Sequence, residues 1–348
     1  MTKRKYKKII KRLKNLPRGF DFLRYSANKI RALYYRNFDN TKVAFPTTIM
    51  FEVTNHCNLK CITCPREYAY GDEMDKGFLP FEGFKKVFDE AAPYLDSIGL
   101  TGLGETFLYK NLVKTVEYIR AKNKGIIISA SINATLNNTI EIASQLVNKI
   151  DTIQISIDGL NDVYNEVRIN GNFDKFLSNV RRLVKLTENT ETDIMFNVVI
   201  LKENYKQMAD IVRFAHDEKI KYLNFAQINL VSITSLDESY YEFFDTDEFK
   251  KEFEKAKTEA AKYSNLEFTH SEFSSKKEFS RCGYPWGHFY ITWDGNMPPC
   301  CAKPFPKELN FGNVFENKLI DVLNAEKFKE FRQTWLDGEK PKFCEKCL

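Results

Sequence analysis

The sequence lacks any apolar run that approaches the ~18 residues of a membrane-spanning helix, and its N-terminus lacks the apolar core of a secretory signal. It also lacks the polar composition of a disordered chain, since 43% of its residues are hydrophobic and 14% are aromatic. These absences predict a globular, cytoplasmic protein whose 348 residues form one large domain plus a small one. Because cytoplasmic thiols stay reduced, the eight cysteines favour metal binding over disulfides.

Acidic residues are nearly absent from the N-terminal arm, where residues 1–36 hold thirteen Lys or Arg against the single acid Asp21. Apolar residues in this arm fall at helical spacing before Pro17: Tyr6, Ile9, Ile10, Leu13 and Leu16. The pattern predicts a basic amphipathic helix that either contacts an anionic membrane surface or a phosphorylated substrate, or packs its apolar stripe on the main domain. A nucleic-acid partner is disfavoured because the arm has no recognisable binding motif.

A regular alternation of strand and helix patterns begins at residue 47. The strand patterns cover residues 47–54, 97–103, 125–133, 152–158, 193–201 and a segment from 222. They are followed by helix patterns at residues 79–95, 110–122, 138–149, 174–188 and 204–219. Such βα units predict an α/β fold with a parallel sheet. Six strands are too few for a closed eight-stranded barrel, so we expect a partial (β/α)6 barrel or a doubly wound sheet, with ligands at the C-terminal strand ends.

Outside the βα repeat, the composition changes twice. Residues 236–280 are charged and aromatic, read as helical between 247 and 262, and show no strand pattern. The remaining five cysteines follow in residues 281–348, which predicts a small metal-binding domain. The expected organisation is therefore a basic helical arm at 1–45, a barrel at 46–235, a helical linker at 236–280 and the metal domain at 281–348.

Three cysteines follow the first strand as Cys57-x3-Cys61-x2-Cys64, with no fourth cysteine beside them. A structural zinc site needs four ligands, and His56 is poorly placed because it is adjacent to Cys57. A four-iron cluster held by three protein ligands leaves one iron open for a substrate or cofactor. The missing fourth thiol therefore indicates a catalytic cluster at the rim of the sheet.

This cysteine motif after the first strand of a βα repeat resembles that of the radical S-adenosylmethionine superfamily, over roughly residues 47–230. The resemblance implies a [4Fe-4S] cluster whose open iron binds S-adenosylmethionine, and whose electron generates a 5′-deoxyadenosyl radical that removes a hydrogen atom from the substrate. It also implies a flavodoxin or ferredoxin as reductant, and sensitivity to oxygen. One departure is Thr63, where the family usually has an aromatic residue near the adenine.

The same resemblance implies five cofactor-binding residues. Gly104 and Glu105, in the segment "GLGETFL", match the motif that holds the methionine amino group, although Leu103 interrupts the usual glycine pair. Asn133 and Ser156, at the ends of the third and fourth strand patterns, match cofactor-contacting positions. Arg168 follows, and its guanidinium suits the cofactor carboxylate.

The C-terminal cysteines are Cys282, Cys300, Cys301, Cys344 and Cys347. Between them, residues 290–301 predict a β-hairpin with Asp294-Gly295 at its turn. The layout resembles the SPASM and twitch auxiliary-cluster domains of the same superfamily. The full SPASM form has seven cysteines, so the resemblance implies a single auxiliary [4Fe-4S] cluster held by Cys282, Cys300, Cys344 and Cys347, with a four-cysteine zinc site as the alternative.

Cys301 is the cysteine left over by that assignment. It is a buried small residue, a ligand in place of Cys300, or a hydrogen-atom donor that quenches a substrate radical and inverts a carbon centre. The leading prediction for the reaction is dehydrogenation or epimerisation of a hydroxyl-bearing small molecule of sugar or cyclitol type. A lipid-linked or nucleotide-linked form of this substrate is one of the partners that would account for the charge of the basic arm.

Two other functions stay open at the level of sequence. One is a maturase that modifies a ribosomal precursor peptide, although the arm at 1–45 is too short for the winged-helix module common in such enzymes. The other, from a different class, is a non-catalytic basic adaptor stabilised by zinc.

Overall fold

The computed structural model describes residues 3–38, 40–71, 73–233, 235–276, 280–345 and 347. The chain divides into two compact units. The first contains Met1–His56, Tyr70–Ser129 and Phe279–Cys347, and the second contains Cys57–Ala69 and Ala130–Glu278.

The strands follow the predicted alternation closely. They are β1 Thr48–Phe51, β2 Lys60–Cys61, β3 Ser97–Leu100, β4 Ile127–Ile132, β5 Thr152–Ser156, β6 Arg168–Ile169, β7 Asp193–Ile200, β8 Tyr222–Gln227, β9 Glu267–His270 and β10 Phe289–Ile291. Eight of them form one sheet in the order β10-β1-β3-β4-β5-β7-β8-β9, and β2 pairs with β6 separately. All six predicted strands are present, which confirms the α/β fold with an open parallel sheet.

Helices connect these strands and flank them at both ends of the chain. They are α1 Lys3–Lys14, α2 Phe20–Asn37, α3 Phe81–Ala91, α4 Leu112–Lys122, α5 Thr139–Leu146, α6 Asp162–Val167, α7 Phe173–Thr187, α8 Met208–Asp217, α9 Asp247–Ala261, α10 Tyr284–Gly287, α11 Leu319–Leu323 and α12 Glu326–Leu336. In the described residues, no helix is both long and apolar enough to cross a bilayer.

In the first unit, β1 pairs in parallel with β3 on one side and with β10 on the other, so that Ile49 lies opposite both Ile98 and Phe289. Helix α3 covers these strands with aromatic side chains. Phe51 meets Phe84 edge to face with ring centroids 5.2 Å apart. Burial of this apolar face holds the end of β1, and the loop that follows it, in a fixed position.

In the second unit, β7 pairs in parallel with β5 and β8, with Phe196 opposite both Ile155 and Leu223. Phe176 of α7 packs on Phe196, and both side chains are fully buried. The strands end on the same edge, where the predicted Ser156 and its neighbours lie.

Residues 236–280, which the sequence predicts to have no strand, contain β9. This strand pairs in parallel with β8, with Tyr222 opposite Glu267 and Phe225 opposite His270. Its four residues are only half-buried or exposed, as befits an edge strand, and they carry no alternation that a sequence pattern could show. The predicted helix in this stretch is present as α9.

The predicted hairpin at 290–301 is wrong. The turn forms, since Gly295 has a φ of 87° and its N–H donates to the Thr292 carbonyl at 2.9 Å. The strand before the turn pairs in parallel with β1 instead, and Asn296 beyond the turn bridges to Asn313. All three residues of β10 are buried, so pairing within the first unit replaces the local hairpin.

Candidate functional site

The loop with the three close cysteines is shaped by a short antiparallel pair. Strand β2 pairs with β6 so that Cys61 lies opposite Arg168. The Arg168 Nη1 atom lies 3.9 Å from the Cys61 sulfur. All eight cysteines are free of disulfides and half-buried. Backbone pairing therefore brings two of the sequence-predicted site residues together.

Further N–H groups point at the sulfur of Cys57. The backbone N–H of Leu59 donates to it at 3.4 Å, and the side-chain amide of Asn133 at 3.8 Å. The amide orientation of Asn133 is fixed because its oxygen accepts from the backbone N–H of Thr135 at 2.9 Å, and its nitrogen also donates to Asn58 at 2.8 Å. Asn133 thus contacts the predicted cluster ligand, with Asn58 and Thr135 as supports that the sequence did not single out.

Arg168 is also held by a buried acid, Asp158. Its Nη2 lies 2.6 Å from the Asp158 carboxylate, whose other oxygen accepts from the Val199 N–H at 2.8 Å. Burial alone would lower the pKa of Arg168, but the negative charge of Asp158 raises it, so the guanidinium stays charged. The sequence predicts that Arg168 binds the cofactor carboxylate, and the structure shows its guanidinium shared between Asp158 and Cys61.

Burial favours the neutral thiol at two cysteines of the loop, Cys61 and Cys64. Burial raises the pKa of Cys61 to about 12, with the charge of Arg168 opposing it. Burial likewise raises the pKa of Cys64 to about 11, opposed by a backbone N–H and the charge of Arg66. Only a metal that replaces the protons makes these sulfurs thiolates at neutral pH, and the N–H groups and cations around them stabilise that form. The donor set therefore fits an iron–sulfur cluster.

Arg66 is a second support that sequence reasoning missed. Its side chain is buried and donates to the carbonyls of Cys57 and Leu59, while its guanidinium pairs with Glu67 at 2.6 Å. The buried Arg66 side chain therefore holds the backbone of the cysteine loop through two of its carbonyls. The position of Arg66 directly after the "CITCP" turn was the signal available in the sequence.

Gly104 and Glu105 lie in the first unit, against the residues that precede Cys57. Their N–H groups donate to the carbonyls of Thr54 at 3.1 Å and His56 at 2.8 Å. A Cβ on Gly104 would lie 2.4 Å from the His56 oxygen and 2.5 Å from the Thr54 oxygen, so only glycine fits. Glu105 is buried, and its Oε1 accepts from the Phe107 N–H at 3.1 Å.

Glu52, at the end of β1, is a buried acid that the sequence analysis did not select. Its Oε2 accepts from the Leu103 N–H at 3.0 Å and from the Tyr290 hydroxyl at 2.5 Å. Burial raises the pKa of Glu52, while these hydrogen bonds oppose the rise. Glu52 thus holds the loop that carries Gly104, and an acid inside the apolar run "TTIMFEVT" was its sequence signal.

Ser156 ends β5, is half-buried and pairs in register with Asn197. Among the described residues, no hydrogen bond joins its side chain to the cysteine loop or to Asn133. Its placement in the second unit agrees with the predicted edge of the sheet, and its cofactor contact stays a prediction.

The five C-terminal cysteines, referred to as the second cysteine group, all lie in the first unit. Burial raises the pKa of Cys344 to about 12, and the charges of Cys347 and Cys282 add to the rise. Burial raises the pKa of Cys300, and Cys301 adds to it through its charge. A β-bridge joins Cys300 to Lys303, and the Cys347 N–H donates to the Cys344 carbonyl at 2.9 Å. The set of cysteines that holds an auxiliary cluster stays a prediction.

Two lysines donate hydrogen bonds to the backbone of the segments that carry these cysteines. Lys303 donates to the Phe343 carbonyl at 2.7 Å and pairs with Glu308 at 2.5 Å, which ties the segment of Cys344 to the turn of Cys300. Lys340 donates to the Cys347 carbonyl at 2.8 Å. Neither lysine was predicted, and the Lys303 contact joins segments forty residues apart in sequence, which no local pattern records.

Tyr284 is an exposed residue whose side chain hydrogen-bonds with Cys301. The charge of Cys301 and then burial raise the pKa of Tyr284 to about 12. A hydrogen bond from Tyr284 lowers the pKa of Cys301, which burial raises. Within the described residues, no three Cys, His, Asp or Glu side chains show the arrangement that holds a single metal ion.

Two family models match the chain. The one described as the radical SAM superfamily matches residues 51–215, and the one described as SPASM, an iron–sulfur cluster-binding domain, matches residues 282–348. The chain is a radical SAM enzyme with a C-terminal SPASM domain. The family uses S-adenosylmethionine, a [4Fe-4S] cluster at the three-cysteine motif and auxiliary iron–sulfur chemistry in the SPASM domain.

Individual relatives of this radical SAM enzyme are distant in sequence. A Pyrococcus furiosus protein named the tungsten-containing aldehyde ferredoxin oxidoreductase cofactor-modifying protein is 25% identical over 305 residues, 82% of each chain. The antilisterial bacteriocin subtilosin biosynthesis protein AlbA of Bacillus subtilis is 22% identical over 87% of this chain and 64% of its own. Streptococcus suis SuiB, solved with its precursor peptide SuiA, shares the fold with a TM-score of 0.66 at 20% identity, over 87% of this chain and 70% of that one.

Proposed function

We propose that this radical SAM enzyme matures a precursor peptide. The observation that carries the proposal is that the alignment with AlbA, a bacteriocin biosynthesis protein, covers 87% of this chain, and so extends well beyond the radical SAM part alone. The fold shared with SuiB supports an architecture that accommodates a peptide. The peptide alternative is thereby better supported than the small-molecule substrate that the sequence analysis ranked first.

The chain's own residues define the chemistry that is available. Cys57, Cys61 and Cys64 would hold the first cluster, and the N–H groups of Asn133 and Arg168 would stabilise the thiolates of Cys57 and Cys61. When bound, the cluster and S-adenosylmethionine supply a radical that removes a hydrogen atom from a C–H bond of the substrate. Hydrogen bonds from the Gly104 and Glu105 N–H groups to the backbone before Cys57 orient the loop that receives the cofactor.

The second cysteine group suits the removal of a second electron. We propose that Cys282, Cys300, Cys344 and Cys347 hold one auxiliary four-iron cluster, and that Lys303 fixes its two halves. Such a cluster, with every iron ligated by the protein, would supply an acceptor for the electron left on the substrate after hydrogen-atom abstraction, and the net reaction would then be a two-electron oxidation. Cys301 remains a candidate ligand in place of Cys300, or a hydrogen-atom donor.

Dehydrogenation or epimerisation of a hydroxyl-bearing small molecule is the second candidate. One specific observation favours it: the relative from Pyrococcus furiosus, aligned over 82% of both chains, is named for modifying a cofactor. Dehydrogenation would need a base for the hydroxyl proton and an electron acceptor, which a cluster at the C-terminal cysteines would supply. Epimerisation is redox-neutral and would instead need a hydrogen-atom donor, for which Cys301 is the candidate.

The test is a reaction of the anaerobically reconstituted enzyme with S-adenosylmethionine and a reductant. One arm contains a panel of candidate precursor peptides, and the other contains polyols and sugars. We expect 5′-deoxyadenosine formation together with a mass loss of about 2 Da in one peptide, as a two-electron oxidation requires.

The control is the triple variant Cys57→Ala/Cys61→Ala/Cys64→Ala, which should form neither product. Oxidation of a polyol, with every peptide unchanged, would replace peptide maturation by the second candidate. A peptide converted equally by the triple variant would exclude the radical mechanism.

A further inference from the structure

The exposed large apolar side chains of the described residues are concentrated in one short segment. Nine of the thirteen lie between residues 6 and 38: Tyr6, Leu13, Phe20, Phe22, Leu23, Ile30, Leu33, Tyr34 and Phe38. Single exposed apolar side chains are ordinary, but a contiguous group marks a surface that contacts something apolar. This segment lies outside both matched family regions, and the proposed reaction does not use it.

Helix α2 attaches to the first unit through polar side chains. The Tyr25 hydroxyl donates to Asp96 at 2.8 Å, and Lys29 forms an ion pair with the same carboxylate. The Asn28 amide both donates to and accepts from the backbone of Phe45, at 2.9 and 3.0 Å. The inner face of the helix is therefore its polar face.

The opposite face of α2 is apolar and exposed. Leu23, Ala27, Ile30 and Tyr34 recur at the i, i+4, i+7 and i+11 spacing of one helical stripe. Leu23 is 62% exposed, Ile30 69% and Tyr34 53%. A soluble surface helix normally turns such a stripe towards the core, so the reversed orientation of α2 requires an apolar partner outside the protein.

Cations surround this stripe. Arg24 and Arg31 are exposed beside it, and residues 1–36 carry seven Lys and six Arg against one acid. Between the α1–α2 turn and the ends of α3 and α4 lies a cleft of about 580 Å³. Its charged lining is mainly basic: Lys14, Arg18, Lys122 and Lys124, with Asp21 and Asp89. This combination of apolar stripe and basic cleft is complementary to anionic headgroups above an acyl layer.

We propose that the segment 6–38 docks the enzyme on an anionic membrane surface. Leu23, Ile30 and Tyr34 enter the interface between headgroups and acyl chains, and the arginines beside them lie among the phosphates. The excess of thirteen basic residues over one acid in residues 1–36 favours an anionic surface as the partner of this segment. The proposal is independent of the reaction and holds for either candidate substrate.

The test is co-sedimentation of the full-length holoenzyme with sucrose-loaded vesicles. One set is pure phosphatidylcholine and the other contains about 30% phosphatidylglycerol, in low salt. We expect binding to the anionic vesicles, weak binding to the neutral ones, and release at about 0.5 M NaCl because the headgroup contacts are screened.

Two variants and their matched controls separate the apolar and charged contributions. Leu23→Asp/Ile30→Asp should lower the partition coefficient at least about tenfold, whereas Leu23→Met/Ile30→Met should change it less than about twofold. Arg24→Glu/Arg31→Glu should also lower it at least about tenfold. Lys175→Glu/Lys251→Glu, with the same change of net charge on exposed positions of α7 and α9, should bind like the parent.

Three outcomes would overturn the proposal. The first is no binding of the parent protein to anionic vesicles at low salt. The second is binding that Leu23→Asp/Ile30→Asp leaves unchanged, since the apolar stripe would then play no part. The third is that the parent binds no vesicles but binds an acidic precursor peptide, and that Leu23→Asp/Ile30→Asp loses the peptide binding. The stripe would then be a peptide-docking face.

Discussion

At the scale of single residues, the close approach of Gly104 to two backbone carbonyls gives a sharp prediction. In Gly104→Ala the new Cβ would overlap the oxygens of Thr54 and His56, both of which are backbone atoms that cannot rotate away. The loop must shift, and we expect S-adenosylmethionine cleavage to fall at least about 100-fold, since a displacement near 1 Å costs that much. The measurement is 5′-deoxyadenosine formed per enzyme under reducing conditions.

The matched control for Gly104 is Gly99→Ala. A Cβ at Gly99 meets its nearest neighbour, the Met50 side chain, at an ordinary 3.5 Å. This variant should keep its activity within about threefold, and both variants should keep the parent iron content. Full activity in Gly104→Ala would show that this loop does not position the cofactor.

Glu52 gives a prediction about pH. Its pKa is raised by burial, so the folded protein binds the Glu52 proton more tightly than the unfolded chain, whose value is about 4.3. Stability is therefore lost as the pH rises from about 4.3 through the folded pKa, and the loss persists at neutral pH. We expect Glu52→Gln to be more stable than the parent by about 1 kcal/mol at pH 7, which corresponds to about 2 °C in Tm.

Thermal unfolding at several pH values measures this difference. The gain in Glu52→Gln should shrink as the pH falls to about 4.3 and vanish below it, where the parent carboxyl becomes protonated in both the folded and the unfolded state. A gain that stays the same at every pH, or a loss of stability at pH 7, would contradict a raised pKa for Glu52.

The iron content of cysteine variants tests whether Cys300 or Cys301 is a ligand of the auxiliary cluster. If Cys300 is the ligand, Cys301→Ala should keep about eight irons per chain, whereas Cys344→Ala should fall towards four because its cluster loses a required thiolate. Anaerobic reconstitution followed by iron analysis gives both values. Loss of iron in Cys301→Ala with retention in Cys300→Ala would make Cys301 the ligand and remove it as a hydrogen-atom donor.

At the scale of elements, helix α12 is joined to the first unit by one buried arginine. Arg332 is fully buried and donates to the carbonyls of Pro285 at 2.8 Å, Leu323 at 2.8 Å and Thr41 at 2.9 Å. In Arg332→Met these buried carbonyls lose their donor, and we expect the free energy of unfolding to fall by about 3 kcal/mol. The midpoint of urea-induced loss of helical circular dichroism measures it.

The control for Arg332 is Arg36→Met. Arg36 lies at the end of α2 and is exposed, so the same change of side chain should alter the unfolding free energy by less than about 0.5 kcal/mol. An equal effect in both variants would mean that the three carbonyl contacts of Arg332 contribute nothing specific.

The elements differ in how far the sequence predicts them. Strands with long β-branched runs, such as β4 and β7, were predicted within one or two residues, because burial on both faces leaves a continuous apolar pattern. Strand β9 was missed and β10 was misassigned, since each has four residues or fewer and pairs with a strand distant in sequence. Pairing of this kind depends on tertiary contacts that no local pattern records.

At the scale of the whole molecule, the spacing of Cys57, Cys61 and Cys64 was enough to predict the radical SAM family. The supporting side chains were not predictable in the same way. Lys303 and Glu52 contact segments that are distant in sequence. From the sequence alone, neither residue can be distinguished from an ordinary surface or core residue. The substrate was not predictable from the sequence either. The motifs define the radical chemistry and do not distinguish a hydroxyl-bearing small molecule, which the sequence favoured, from a peptide.

The central claim is a radical enzyme with two four-iron clusters, one at the three-cysteine loop and one at the C-terminal group. It is tested most directly by iron, sulfide and zinc per chain in protein purified and reconstituted without oxygen. We predict about eight irons, a matching amount of sulfide and no stoichiometric zinc. About four irons with one zinc would remove the auxiliary electron acceptor, and zinc alone would contradict the radical enzyme altogether.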